Sequence, residues 1–149
     1  MPQSLAHILL HLVFSTKDRE PFIDAAVRED LHAFLAGVAR TAGAECLRVG
    51  GTADHVHLAV HLPRTLTVAQ LMEDLKTPSS KWMKEHTPWS AFAWQRGYSA
   101  FSVSPNDVEA LVHYIGNQEE HHRTRTFQDE YRAFLKKYNV EYNERYAWD

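Results

Sequence analysis

The run Ala53–His61 reads ADHVHLAVH, with imidazoles at His55 and His57 alternating with apolar residues. On an extended strand, residues i and i+2 leave one face with Cα atoms about 6.5 to 7 Å apart, a separation from which both rings can reach one divalent cation. The competing reading is a pair of polar positions on a half-buried strand. With ten histidines in the chain, a His-apolar-His triplet also arises by chance, so the pattern alone does not choose between them. A second constellation, VHYIGNQEEHH, sets Tyr114 and Gln118 four residues apart, on one side of a helix. One reading is a tyrosine lodged against a sheet beside a solvated glutamine. The other gives both side chains chemistry, since a phenol can attack a phosphodiester to form a phosphotyrosine, and an amide oxygen can complete a coordination sphere begun by two histidines. Such an exchange of one phosphodiester for another needs no nucleotide cofactor. A cation that polarises the phosphate offsets the phenol's high pKa. His121 and His122, next on the same helix, are minor candidates for touching metal or phosphate.

The elements that would position these groups follow from periodicity. His7–Phe14 alternates, with Ile8, Leu10, Leu12 and Phe14 on one face and His7, Leu9, His11 and Val13 on the other, which predicts a first strand. Asp24 can cap a helix over Ala25–Ala42, ended by Gly43. AECLRVGG and HVHLAVHLP predict a strand hairpin, stopped by Gly50-Gly51 and Pro63. Thr67 introduces a second helix that Pro78 bends or interrupts. AFAWQRGYSAFSV predicts one long or two short final strands. A helix starting at Ser104-Pro105-Asn106 runs through Gln118, and a last one covers about Phe127–Tyr138. The order β-α-β-β-α-β with trailing helices predicts an α+β chain: a ferredoxin-like (split βαβ, RRM-like) antiparallel sheet, residues 1–149 forming one domain. Helices would cover one face of this sheet. Val56, Leu58 and Val60 would pack beneath them, while His55, His57, Ala59 and His61 point to the open face with His11 nearby.

Composition sets the frame. The chain has 149 residues, 44% of them hydrophobic, with one cysteine and a formal charge of −3. One cysteine cannot form an intrachain disulfide, and no secretory signal opens the chain, so a cytoplasmic protein is expected. No apolar run approaches the roughly 20 residues of a membrane span. The acidic total lacks the basic excess usual in nucleic-acid binders, yet leaves room for a local basic surface. Lys76, Lys81 and Lys84 with Ser79, Ser80 and Trp82 form one such segment, and Gln95-Arg96-Gly97-Tyr98 offers a guanidinium and a ring to unpaired bases. The alternative for each is a solvated helix face or a core aromatic; Trp82, Trp94 and Phe101 are assigned to the core. Arg123 and Arg125 could hold phosphates beside the tyrosine.

Taken in order, HLVFSTKDR, DHVHLAV, LKTPSSKWMKE, FAWQRGYSAFSVS, HYIGNQEEHH and FQDEYRAFLKKYNVEYNERYAWD resemble the single-tyrosine HUH transposases of small insertion sequences, the IS200-like family, and within them the REP-associated tyrosine transposases. The resemblance implies a DNA transposase. It implies a homodimeric endonuclease and strand transferase acting on single-stranded DNA with hairpins at element ends, using Mg²⁺ or Mn²⁺ and a 5′-phosphotyrosine. His55 and His57 then match the HUH metal pair, Tyr114 the nucleophile and Gln118 the polar metal ligand; the DNA-binding residues would be Lys76, Lys81, Lys84, Arg96 and Arg123. In several family members the tyrosine helix reaches the partner subunit's HUH face, so composite sites are expected. Thr77 and Pro78 stand where a more basic, uninterrupted helix belongs, and Gly116 sits mid-helix at a cost of about 1 kcal/mol relative to Ala. Two rivals stand beside this reading. A histidine-triad nucleotide hydrolase fits the histidine spacing poorly, because Leu58-Ala59-Val60 separates His57 from His61. The second is a catalytically idle hairpin-binding regulator.

Overall fold

A computed structural model describes residues 2–149 and places them around one four-stranded antiparallel sheet. The strands are β1 (Ile8–Ser15), β2 (Glu45–Gly51), β3 (His55–Leu62) and β4 (Ser99–Val103), in the order β2-β3-β1-β4. The helices are α1 (Ala25–Thr41), α2 (Val68–His86), α3 (Val108–Gly116), α4 (Gln118–His121) and α5 (Phe127–Lys137). β1 and β3 are the central neighbours, paired so that His11 faces Ala59, Val13 faces His57 and Ser15 faces His55. The expected α+β ferredoxin-like arrangement is therefore the one observed. Among the described residues, no helix is long and apolar enough to cross a membrane.

Period-two alternation sorts the strands as the sequence predicts. Leu10, Leu12, Phe14, Val56, Leu58 and Val60 join Leu31 and Leu35 of α1 and Leu71, Met72 and Leu75 of α2 in the main core. The other face departs from expectation, because it is covered. Phe127, Tyr131 and Leu135 of α5 pack with Val13 and Phe101, while Leu111 and Ile115 of α3 pack with Ala59. These helical stripes need an apolar partner as much as the sheet face does, and each supplies the other. His11, His55 and His57 are accordingly 0% exposed.

Three local features differ from the periodicity reading. α2 runs unbroken through Pro78, and Ser79 of that turn accepts from the Trp94 indole at 2.9 Å. The final strand is only five residues long. Upstream of it, Trp94 makes a single bridge to Thr16, and the Gln95 side chain extends the ladder by accepting from Ser15 N at 2.7 Å. The carbonyls of Gln95, Arg96 and Gly97 turn instead to the Lys76 ammonium, at 2.9, 3.3 and 2.7 Å. Finally, the helix expected to run through Gln118 breaks at Asn117 (φ −108°, ψ 25°), dividing α3 from α4. Gly50 lets α3 cross β2 at this point, since a Cβ there would lie 2.1 Å from the Ile115 carbonyl oxygen.

Candidate active site

Four elements bring polar side chains to the covered sheet face. β3 supplies His55 and His57 on alternate positions, α3 ends with Tyr114 near its last turn, α4 opens with Gln118, and α5 presents Glu130 between Phe127 and Tyr131. The break at Asn117 does not separate Tyr114 from Gln118 functionally, because both side chains still reach the histidines. Gln118 Oε1 lies 3.0 Å from His55 Nε2 and 3.2 Å from His122 Nε2. The Tyr114 ring stands 6.1 Å from that of His57, edge-on, and stacks on His121 at 4.4 Å.

Glu130 is the centre of the site, and the sequence pattern does not single it out. Its side chain is almost wholly buried; one carboxylate oxygen accepts from His57 Nε2 at 2.8 Å, and the other takes the Tyr114 hydroxyl and lies 3.3 Å from His122 Nε2. Burial alone raises its pKa, but hydrogen bonds from His122 and His57 and the nearby imidazoles outweigh this and hold the carboxyl below the ordinary range. Glu130 is thus the ionised partner of a neutral His57, whose pKa burial pushes down to about 4 against the pull of the carboxylate. His122 is half-buried and shifts upward, its desolvation outweighed by Glu130. Burial and the adjacent carboxylate push the Tyr114 phenol well above its ordinary value. As it stands, the site keeps its tyrosine protonated.

The donor set fits a divalent cation. The Asp54 carboxylate bonds His55 Nδ1 at 2.8 Å. A carboxylate only accepts, so Nδ1 of His55 donates to Asp54 and its Nε2 faces the Gln118 oxygen. Nε2 of His55 and Oε1 of Gln118, 3.0 Å apart, are both atoms that can ligate a cation, and the Gln118 Nε2 atom on the far side is buried without a partner. The nearest ligand atoms of His55, His122 and Glu130 lie within 4.8 Å of one another. Two or three imidazoles, an amide oxygen and a carboxylate make a mixed N/O set, suited to Mn²⁺ and tolerant of Mg²⁺.

The expected DNA-binding residues divide. Lys76, Lys81, Lys84 and Arg96 line one groove of about 590 Å³ with Trp94 and Gln95, and no acidic side chain lines it. Lys81, Lys84 and Arg96 are exposed, whereas Lys76 is bound to backbone carbonyls and its pKa falls to about 8 through burial. This groove meets the site at the end of the sheet, where Gln95 bonds Ser15 and Ser15 pairs with His55. Arg123 lies apart, exposed and paired with Glu120 at 3.2 Å. Arg125 instead lines a groove of about 610 Å³ that opens on Tyr114 and Glu130 and continues to Lys137 and Tyr138. Trp94 and Phe101 are buried and Trp82 is partly so, as their core assignment predicts. One chain brings Tyr114, His55, His57 and Gln118 together, so the expected exchange of tyrosine helices between subunits is not needed to complete the site.

Residues 4–118 match the model of the family described as Transposase IS200 like, a span that ends at Gln118 and leaves His122 and Glu130 outside it. Among proteins of curated function, none matches the chain. Two solved structures share its fold. One, a candidate transposase from Deinococcus radiodurans R1, is 24% identical over 79% of this chain and 98% of its own, with a TM-score of 0.64. The other, a REP-associated tyrosine transposase bound to a REP hairpin, is 14% identical over 77% of this chain and 70% of its own, with a TM-score of 0.54.

Proposed function

The chain belongs to the IS200-like transposase family, and from that premise we propose that it cuts and rejoins single-stranded DNA through a 5′-phosphotyrosine at Tyr114. The observation that carries this reading is the Tyr114 hydroxyl bonded to Glu130, with His57 on the other carboxylate oxygen and His55 facing Gln118. His55, His57 and Gln118 would hold Mg²⁺ or Mn²⁺, with Glu130 and His122 within reach as further ligands. The bound ion would polarise the scissile phosphate and stabilise the leaving 3′-oxygen. Tyr114 forms the new O–P bond as the P–O3′ bond breaks, and its proton passes to the Glu130 carboxylate that already accepts it. Arg125 and Lys137 flank the groove leading to Tyr114 and would steer the backbone phosphates. Lys81, Lys84 and Arg96 offer the second basic surface, placed to hold the strand or hairpin beyond the cleavage point. The hairpin on which a structurally similar REP-associated transposase is seen points to hairpin-bearing single strands as the substrate class.

Incubation of the purified protein with labelled hairpin-tailed single strands and Mn²⁺ should give a denaturation-resistant protein–DNA adduct. Tyr114→Phe should bind the same strands and form none, and excess chelator or His57→Ala should abolish adduct in either metal. An adduct that persists in Tyr114→Phe, mapped to another tyrosine such as Tyr98 or Tyr131, would overturn the assignment. Hairpin binding by the native chain with no adduct in either metal would leave the regulator reading in its place.

A further inference from the structure

The two site histidines are held from behind by different partners. His55 Nδ1 bonds Asp54, the carboxylate–histidine pairing usual behind a metal ligand. His57 Nδ1 has no carboxylate; it lies 2.8 Å from Nε2 of His11, whose ring is 0% exposed and stacks nearly parallel to it. His11 sits close to His57 on the neighbouring strand β1, with Phe101 and Phe134 against its ring at 5.9 and 4.9 Å. Its Nδ1 is buried without a partner. His57 Nε2 is 2.8 Å from Glu130, which accepts its proton, so in the chain as it stands Nδ1 of the neutral His57 ring accepts from His11 Nε2–H.

We propose that His11 is the positioning residue of the site, its Nε2 accepting the hydrogen bond from Nδ1–H of His57 whenever His57 Nε2 serves as a metal ligand. The inference rests on the metal reading given above. A neutral imidazole that offers Nε2 to a cation must carry its proton on Nδ1. The acceptor that lies there is the His11 Nε2 lone pair. With the shared proton on His57 Nδ1, Nε2 of His57 is free to face a cation and His11 Nε2 accepts the hydrogen bond across the same 2.8 Å. The apolar cage of Phe101 and Phe134 supports this assignment, because it holds the His11 ring against His57 and leaves His57 Nδ1 no other polar neighbour from that side. Aspartate in place of His11 would bring a second buried carboxylate beside Glu130; histidine accepts the same proton without that charge.

The test is Mn²⁺ binding to the full chain by calorimetry, without DNA. His11→Leu should keep the native melting transition and bind hairpin strands in chelator as the native chain does, while binding Mn²⁺ about 10–100-fold more weakly. His11→Gln, whose Oε1 can accept where Nε2 did, should recover most of that loss. In ¹⁵N-imidazole spectra of the native chain with Mg²⁺ or Zn²⁺, His57 should carry its proton on Nδ1, and on Nε2 without metal. Native-strength Mn²⁺ binding by His11→Leu, or an unprotonated His57 Nδ1 in the loaded native chain, would overturn the proposal alone. No Mn²⁺ binding by the native chain would overturn the metal reading and this proposal with it.

Discussion

The hydroxyl of Tyr114 donates to one oxygen of Glu130 while His57 donates to the other at 2.8 Å, so a single carboxylate joins the tyrosine to the histidine pair. Without a cation, this contact works against attack, because a buried negative charge beside a phenol favours the protonated form. His55, His57 and Gln118 would hold a divalent ion whose charge would offset that of the carboxylate, and Glu130, which already accepts the Tyr114 hydroxyl, would then take the phenolic proton. Glu130→Gln keeps the shape and removes the acceptor. Its melting transition should persist while the rate of adduct formation falls about 10²-fold or more, the usual range for a lost general base. A rate unchanged or raised in Glu130→Gln would show that the carboxylate only occupies the site.

The groove of Lys81, Lys84 and Arg96 predicts a different signature. These side chains are exposed and no acidic group lines the groove, so their contribution to DNA binding should be electrostatic and independent of sequence. Lys81→Ala and Lys84→Ala should weaken binding of matched and scrambled strands alike, each lowering the slope of log K against log salt by about 0.7. Lys76→Ala should behave otherwise. It removes the ammonium that gathers three carbonyls, so its main effect should be on thermal stability. Equal salt slopes in native and Lys81→Ala chains would take Lys81 off the DNA path.

The strands and the shared face of His55 and His57 were legible because a period of two is a local property of the chain, and the central pairing of β1 with β3, which brings His11 to that face, followed from the order of elements. Tyr114 and Gln118 were legible as a helical i, i+4 pair, although the chain turns at Asn117 between them. Glu130 was hidden in an apparently ordinary amphipathic helix. Its signal is its place on the buried stripe of Phe127, Tyr131 and Leu135, where an acid is costly unless something pairs it. The covering of the histidine face could not be read from the sheet alone. It depends on where the apolar faces of α3 and α5 dock, a long-range choice that no window of sequence reports.

Acid should destabilise the fold from a group away from the chemistry. Burial, with Arg28 and Arg48 nearby, pushes the pKa of His32 from 6.5 down to about 4. The folded value lies below the unfolded one, so the unfolded chain takes up the proton first. Stability is therefore intact above about pH 6.5 and lost as the pH falls toward 4. His11 and His57 shift the same way. In denaturant titrations, His32→Gln should lose about 2 kcal/mol less stability than the native chain between pH 7 and 4.5. Parallel losses in the two chains would mean that His32 is already protonated in the fold or is solvated there.

Two variants expected to form no adduct alone decide whether the site closes within one chain. Tyr114 lies beside His57 of its own chain, with Glu130 bridging them, and the short run from Val103 to Val108 connects the sheet to the tyrosine helix. An exchange of helices between subunits would have to carry Tyr114 away from a carboxylate and a His121 stack that it already occupies. Mixing His57→Ala with Tyr114→Phe under conditions that allow subunit exchange should therefore restore no adduct, since each chain keeps one defect in its own site. Composite sites would give the opposite result: the intact Tyr114 of the His57→Ala chain would meet the intact histidines of the other, and adduct would return on the His57→Ala chain alone. Recovery of that adduct, with exchange verified by differently sized tags, would reject closure in a single chain for the cleavage step.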